Sequence, residues 1–512
     1  DQRCSGYLYR DILPQPRRYS PHRISRHSGG TLRKRRCRDR LYNQKQKNKT
    51  GVDKAEDALP YRHQGIAGRV TYAYNDRYFI EGNFGYNGSE NFSPGHRFGF
   101  FPSVAAGWLV SNEKFWEPIS HVIDMLKIKG SYGEVGNDQI GGNRRFIYNA
   151  TVIDSGSYDF GKTAHTEKGL RVGDWANPNV GWERAKKMNA GVEISFFNAL
   201  KIQADYFSEK REGIFLERAS LPLYIGVSTK PYVNVGKMKN HGFDTSLEYN
   251  QRVGQVRLSG KANFTYAHNT IIDNDQPDWK YPYLNRRGQM LWQQYGLVAA
   301  GLFESQADID SWPTQTFGEV KPGDIKYIDI NGDGKIDTND EKPIGWAAVP
   351  EIVYGFGLSA AWKGLDCSVF FQGAGHVTLQ QSGSAIQAFS ARNMMESGVY
   401  EDIYYNHWSE DNPNPNAKYP RLSIGSNKNN FRNSTFWQKD MSYLRLKTVE
   451  IGYNFPSKWI DPIHISGLRI YLSGVNLLTF SKFKLWDPEV LEGQGANYPA
   501  NRIFNFGINI NL

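Results

Sequence analysis

The last ten residues, Ile503 to Leu512, alternate without a break: Phe504, Phe506, Ile508, Ile510 and Leu512 fall on one side, and Asn505, Gly507, Asn509 and Asn511 on the other. Successive side chains of an extended chain point to opposite faces, so this segment is a two-faced β-strand. Its length matches the roughly nine to eleven residues that a tilted strand needs to cross a bilayer. Large apolar groups on one face and small polar groups on the other suit a wall between lipid and water. A single such strand would also fit a soluble sandwich. Repetition of the pattern, with loops that alternate between short and long, is what selects a membrane barrel.

The same parity recurs along the chain. Val70, Tyr72 and Tyr74 oppose Arg69, Thr71 and Ala73, and after Asn75 to Arg77 the return strand sets Tyr78, Ile80, Phe84 and Tyr86 against Glu81, Asn83 and Gly85. Further strands are read at Val104–Val110, Leu126–Tyr132, Met188–Phe196, Leu200–Tyr206, Phe243–Tyr249, Val256–Tyr266, Ile352–Trp362, Leu365–Phe371, Val449–Phe455 and Leu468–Leu472. This gives about thirteen strands, with one or two more expected between Tyr295 and Phe303. Connections 75–77, 111–125, 197–199, 250–255 and 363–364 are short and 456–467 is intermediate, whereas 87–97, 134–187, 208–241, 267–350, 374–442 and 479–502 are long. A helical turn is expected near Glu117 to Asp124. Sorting of this kind predicts an all-β, antiparallel transmembrane barrel with brief periplasmic turns, extended extracellular loops and a periplasmic C-terminus. The faces assigned to the lumen carry both signs, with Arg69, Glu81, Lys127, Lys129, Glu193, Asp205, Glu248, Arg257 and Lys261, which argues against a pore tuned to one ion sign.

Composition agrees with a barrel. Aromatic residues reach 14% while mean hydropathy is −0.60, a mixture that interfacial girdles and alternating strands produce. No apolar run approaches the roughly eighteen residues of a transmembrane helix. The net charge of +10 is local: residues 1–50 hold 15 Lys and Arg against Asp1, Asp11 and Asp39, leaving −2 over the remaining 462 residues. The body is not basic, so nucleic acid is not an expected partner. Residues 1–52 read as a basic, irregular leader, disordered or not native to the fold, and residues 53–512 as the barrel. Cys4, Cys37 and Cys367 form neither a CxxC pair nor a zinc spacing. No HExxH, GxSxG or phosphate-binding loop occurs, and an enzyme is not expected.

One local motif carries chemistry. Asp329, Asn331, Asp333, Asp337 and Asp340 fall where an EF-hand loop places oxygen ligands, with the Lys335 carbonyl at the seventh position and Gly334 at the sixth. The alternative is an Asx-rich turn that holds no ion. Trp175, Trp182, Trp279, Trp312 and Trp408 lie in loops, where their faces could stack on sugar rings, although packing is the commoner use of such residues.

With these residues in hand, the chain resembles the SusC/RagA family of TonB-dependent outer-membrane transporters. The resemblance runs in order through LPYRHQGIAGRVTYAYNDRYFIEGNFGYNGSENF (Leu59 to Phe92), FGFFPSVAAGWLVSNEKFW (Phe98 to Trp116), LKIKGSYGEVGN (Leu126 to Asn137), NVGKMKNHGFD (Asn234 to Asp244), GDIKYIDINGDGKIDTND (Gly323 to Asp340) and GLRIYLSGVNLLTF (Gly467 to Phe480). It implies the C-terminal part of a 22-stranded barrel, about 13–15 strands, open or incomplete by itself and without a plug domain. It also implies energy-coupled import of a glycan or peptide nutrient in a bacterial outer membrane, a SusD-like surface lipoprotein over the mouth, and TonB acting on the plug. The reading of a different class is a calcium-binding surface β-protein, an adhesin or glycan-binding module.

Overall fold

The computed structural model describes residues 62–512 apart from 143, 145, 163–164, 228 and 391–398, so the basic segment expected at 1–52 lies outside the described residues. Thirteen strands build the wall: β1 (His63–Tyr74), β2 (Tyr78–Ser89), β3 (Phe98–Leu109), β4 (Ile123–Asn137), β5 (Glu183–Phe196), β6 (Leu200–Glu217), β7 (Tyr232–Val253), β8 (Val256–Asp273), β9 (Ile352–Trp362), β10 (Leu365–Gly375), β11 (Tyr443–Asn454), β12 (Gly467–Ser481) and β13 (Ile503–Asn511). They form one antiparallel sheet in chain order, with β1 and β13 at its ends. Each strand read from parity is present. The extra wall strands expected between Tyr295 and Phe303 are not: Tyr295–Gly296 and Ala299–Leu302 pair instead with Lys342–Pro343 and Ile325–Tyr327. These runs are too short to cross a bilayer, and their partners lie in the same loop.

The tight turns follow from local backbone geometry. Asn75 and Asp76 have φ of 50° and 51°, Phe197 and Asn198 have 52° and 50°, and Lys363 and Gly364 have 46° and 91°. Paired left-handed residues twist in the same sense as the flanking strands, which keeps each hairpin closed. The sorting of loops is less strict than the sequence reading: the turn at 110–122 is longer than the loop at 90–97. Its extra length is taken up by 3-10 turns at Val110–Asn112 and Lys114–Ile119. The Glu113 carboxylate between them accepts from the Tyr78 hydroxyl at 2.6 Å and from Trp108 Nε1 at 3.2 Å, pinning the turn to the wall.

Large apolar side chains point away from the lumen. Val70 is 74% exposed, Leu358 66%, Phe504 77% and Ile508 50%, a disposition that suits hydrocarbon and not water. Aromatic rings bound this band at both ends. Tyr78 stacks on Trp108 at the turn end, with ring centroids 6.3 Å apart, and Tyr86 stacks on Phe98 at the loop end, 5.1 Å apart. Such belts mark the two interfaces of a membrane.

The opposite faces pair their charges. Arg69 meets Glu81 at 2.5 Å, Lys129 lies 3.0 Å from Glu193 and 3.2 Å from Asp205, and Arg469 reaches Asp366 and Glu450 at 2.5 and 2.6 Å. Lys129 and Asp205 both stand opposite Gly191, on either side of β5. A Cβ on Gly191 would fall 2.1 Å from the Asp205 carboxylate, so only glycine leaves room for the pair to meet across the middle strand. Most of the mixed charge on this face is thus taken up in cross-strand pairs, while Lys127 lies over the Phe79 ring.

Strands β6, β7 and β8 run 18, 22 and 18 residues, well beyond a bilayer crossing. Their upper reaches rise past the outer aromatic belt, and the long loops spring from there. The facing assignment predicts that Ile508→Arg, which puts a cation into lipid at a cost of about 2–4 kcal/mol, prevents stable membrane assembly. Asn505→Arg, on the Ser473 side of β13, should assemble normally. Membrane extraction and heat-modifiable gel migration of the two variants check this, and equal behaviour would contradict it.

Candidate functional site

The loops at 274–351 and 376–442 fold together into one β-rich module at the extracellular mouth. Short ladders knit it: Ala299–Leu302 with Ile325–Tyr327, Thr314–Gln315 with Lys335–Ile336, and Thr378–Gln380 with Gln438–Asp440. Leu297 joins the two loops by donating to the Asn433 carbonyl and accepting from the Thr435 N–H. Leu297, Ile325, Tyr327, Ile336, Ile403 and Trp437 are buried in its core. Burial pushes the Tyr327 phenol well up from its ordinary value, and its hydroxyl donates to the Asn429 carbonyl at 2.9 Å.

A buried carboxylate is the hub. Asp324 is inaccessible to solvent; it accepts from Lys321 N–H at 2.8 Å, Arg421 Nη2 at 3.0 Å, Asn427 Nδ2 at 3.1 Å and Asn430 Nδ2 at 2.8 Å, and is ion-paired with Arg421, whose Nε lies 2.8 Å away. An ion this deep is tolerable because every lone pair has a donor. Gly323, just before it, has φ +82°, and a Cβ there would lie 2.2 Å from the Trp408 ring, so the residue has to be glycine.

The proposed ion-binding loop follows directly. Asp329 accepts from the Gly332 and Gly334 N–H groups, Asn331 from Asp333 N–H, and Asp333 from Lys335 N–H. Asp337 and Asp340 form a reciprocal capping box on the 3-10 turn Thr338–Asp340. Asp340 is fully buried, and its carboxylate receives Ile330, Asn331 and Asp337 N–H at 2.8, 3.3 and 2.9 Å. The donor types suit a hard cation, but in this arrangement they serve the backbone. Among the described residues no group of three or more His, Cys, Asp or Glu side chains converges to hold a metal.

Three of the five loop tryptophans are packing residues. Trp408 is in the module core, Trp312 lies against it with Nε1 donating to the Tyr327 carbonyl, and Trp182 packs on Phe92 and Phe101. Trp175 and Trp279 remain substantially exposed. Sequence reading missed Trp292, 63% exposed with φ +61°, because in the run Met290-Leu291-Trp292-Gln293 nothing separates an exposed ring from a packed one. It lines a cavity of about 780 Å³ between the upper lumen face of β6–β8 and the loop segments 286–295 and 347–351. The loop at 286–291 is stitched to β8: Ile271 N–H donates to the Gln289 carbonyl, Gly288 N–H to the Ile271 carbonyl, and Leu291 N–H to Asn269 Oδ1. Where the loop rejoins the wall, the buried Glu351 carboxylate sits 2.5 Å from His268 Nδ1 and 3.0 Å from His376 Nδ1.

A family described as TonB dependent receptor-like, beta-barrel matches residues 24–477. TonB-dependent receptor P3 of Formosa agariphila is 29% identical over 477 residues, covering 87% of this chain and 45% of that protein. TonB-dependent receptor SusC of Bacteroides thetaiotaomicron is 25% identical over 460 residues, covering 86% and 43% respectively. A structure of the RagAB peptide transporter superposes with a TM-score of 0.69 at 24% identity, covering 88% of this chain and 48% of that one. The chain thus spans a little under half the length of these relatives.

Two outcomes test the module. Asp340→Ala strands three backbone N–H groups and should cost about 1–3 kcal/mol of local stability, read as lost amide-exchange protection over 329–340; protection equal to that of the parent protein would refute the anchoring role. Burial would raise the Asp402 carboxyl, but Lys418, Tyr419 and Asn406 hold it below the usual carboxylate range. A carboxyl depressed in the fold stabilises fully above its unfolded value of about 3.9 and loses that contribution as pH falls through the lower folded value. Exchange protection over 401–419 should therefore hold from pH 7 to about 5 and drop below about pH 4, with a smaller drop in Asp402→Asn.

Proposed function

The chain belongs to the TonB-dependent receptor-like β-barrel family, of the SusC/RagA kind, and from that membership we propose that it forms the wall and mouth of a transporter importing a bulky nutrient, a glycan or a peptide. Barrels of this family reside in the bacterial outer membrane, and the family is one of transporters and receptors. The observation that carries the reading is the wall itself: apolar rows between two aromatic belts, opposite a lumen of paired charges that opens under the loop module. A surface adhesin or glycan-binding module in water would expose those rows to solvent, which disfavours the alternative.

Closure supports a longer barrel. Thirteen antiparallel strands leave β1 and β13 running the same way, so antiparallel closure takes an odd number of further strands. Nine would complete twenty-two. We place the TonB-coupled plug on that remaining portion. A SusD-like lipoprotein as lid is supported by the hairpin Val152–Phe160 with His165–Val172, almost wholly exposed with Tyr158 and Phe160 in edge contact. An isolated two-stranded hairpin is marginal in water and gains stability from a partner surface. Calcium on the Asp329–Asp340 loop is a separate proposal, supported by its all-oxygen donors and Gly334 at the turn.

Disrupting the gene should abolish growth on one class of oligomeric nutrient and spare growth on its monomers, with uptake stopped by a protonophore. Unchanged growth on every glycan and peptide source would sink the transport reading. For calcium, added ion should raise amide-exchange protection of 329–340, and identical protection in calcium and in chelator would remove the site.

A further inference from the structure

We infer that the cavity under Trp292 seats an apolar side chain of an oligopeptide, which narrows the nutrient of the preceding reading to peptides and rests on that reading for delivery. The strand register sets two rows on the upper lumen face. Glu209, Asn240 and Asn269 stand side by side, and above them stand Arg211, Met238 and Ile271. Leu216 closes the top, and Met290, Leu291 and Val349 come from the loop opposite. Thioether and aliphatic groups make an adaptable apolar surface without preferred ring geometry.

The polar groups around this surface are mostly committed. Glu209 is held by Arg211 Nη2 and Nε at 2.9 and 3.2 Å and by Lys187 at 3.3 Å. Asn269 Oδ1 accepts from Leu291 N–H at 2.7 Å. Tyr295 is buried beneath the Arg286 guanidinium, 4.3 Å from its ring, and its hydroxyl donates to the Asn285 carbonyl. Trp292 is the single broadly exposed ring on the cavity, and the Asn240 amide offers a donor and acceptor pair at its floor, with Lys239, Asp273 and Arg286 along the lining. A sugar ring would lose water from several hydroxyls here and find few partners. A peptide needs much less: an apolar pocket for one side chain, and one amide to match a backbone N–H and C=O.

The test uses the full-length protein extracted from its membrane in detergent, with trileucine, triserine and maltotriose as probes, followed by tryptophan fluorescence and calorimetry. Trileucine should bind at least tenfold more tightly than either other probe. Met238→Asp should weaken trileucine tenfold or more, and so should Leu291→Asp, a partly exposed position where folding is not at stake; heat-modifiable migration verifies both variants. Maltotriose binding as tightly as trileucine, or trileucine binding unchanged in both variants, overturns the inference. The two readings separate in cells. Energised uptake of glycans without peptides defeats the cavity assignment and keeps transport. Trileucine binding lost in the variants, with no energised uptake of any nutrient, keeps the assignment and defeats transport.

Discussion

Hydrocarbon offers a backbone no hydrogen bonds, so a strand crossing it has to satisfy its N–H and C=O groups on neighbouring strands while its side chains divide between lipid and water. Nearly every feature of this wall follows from that constraint. A slip of one residue would carry Arg69, Lys129 and Arg469 into lipid and bring the apolar row into the lumen. Register is held against that slip at two levels. Left-handed turn residues at 75–76, 197–198 and 363–364 fix the offset within each hairpin. Cross-strand ion pairs then reward the correct face, with Gly191 clearing the path between Lys129 and Asp205. The pairs are partly exposed to an aqueous lumen, so each contributes little by itself. Their weight lies in the asymmetry, since the wrong register leaves unpaired charge in lipid.

Above the outer belt the constraint relaxes, and the architecture changes with it. Strands β6–β8 continue upward with polar residues on both faces, such as Ser208 and Lys210 outside and Glu209 and Arg211 inside. Water can reach both surfaces, and stability comes instead from loops packing on one another. The module at 274–351 and 376–442 has a hydrophobic core of its own, organised around the Asp324 carboxylate. Removing one partner of such a buried pair is far more disruptive than breaking a surface ion pair.

This division explains what could be read from the sequence. Wall strands announce themselves because lipid and lumen impose a strict period of two, and all thirteen were legible down to the facing of Val70, Ile80 and Ile508. Where both faces meet water the period vanishes, so the upper halves of β6–β8 read as loop: the connection expected at 208–241 narrows to 218–231. The module's ladders, two to four residues long, carry no period at all. The Gly323–Asp340 motif drew attention to its oxygen donors, yet Gly323, Asp324, Ile325, Tyr327 and Ile336 in the same stretch build the core. Loop tryptophans were ambiguous for a related reason, since exposure depends on which distant segment folds over a ring. The cavity was invisible because its lining comes from separate segments that only the folded loops bring together.

The anchoring of that cavity bears on how a transporter built this way would work. Its floor is the sheet, its opposite wall is a loop hydrogen-bonded to β8 at Asn269 and Ile271, and that loop is clamped where it rejoins the wall, at Glu351 against His268 and His376. A site held at each edge is preformed, so a ligand loses little free energy to ordering it. The same anchoring opposes release, because the loop segments that line the cavity are tied to β8 at Ala267, Asn269 and Ile271. Under the proposed import reading, the free energy that dislodges a bound peptide therefore enters from outside this half of the barrel. That places the moving parts in the lid and the plug, and leaves this wall as the fixed frame against which they act.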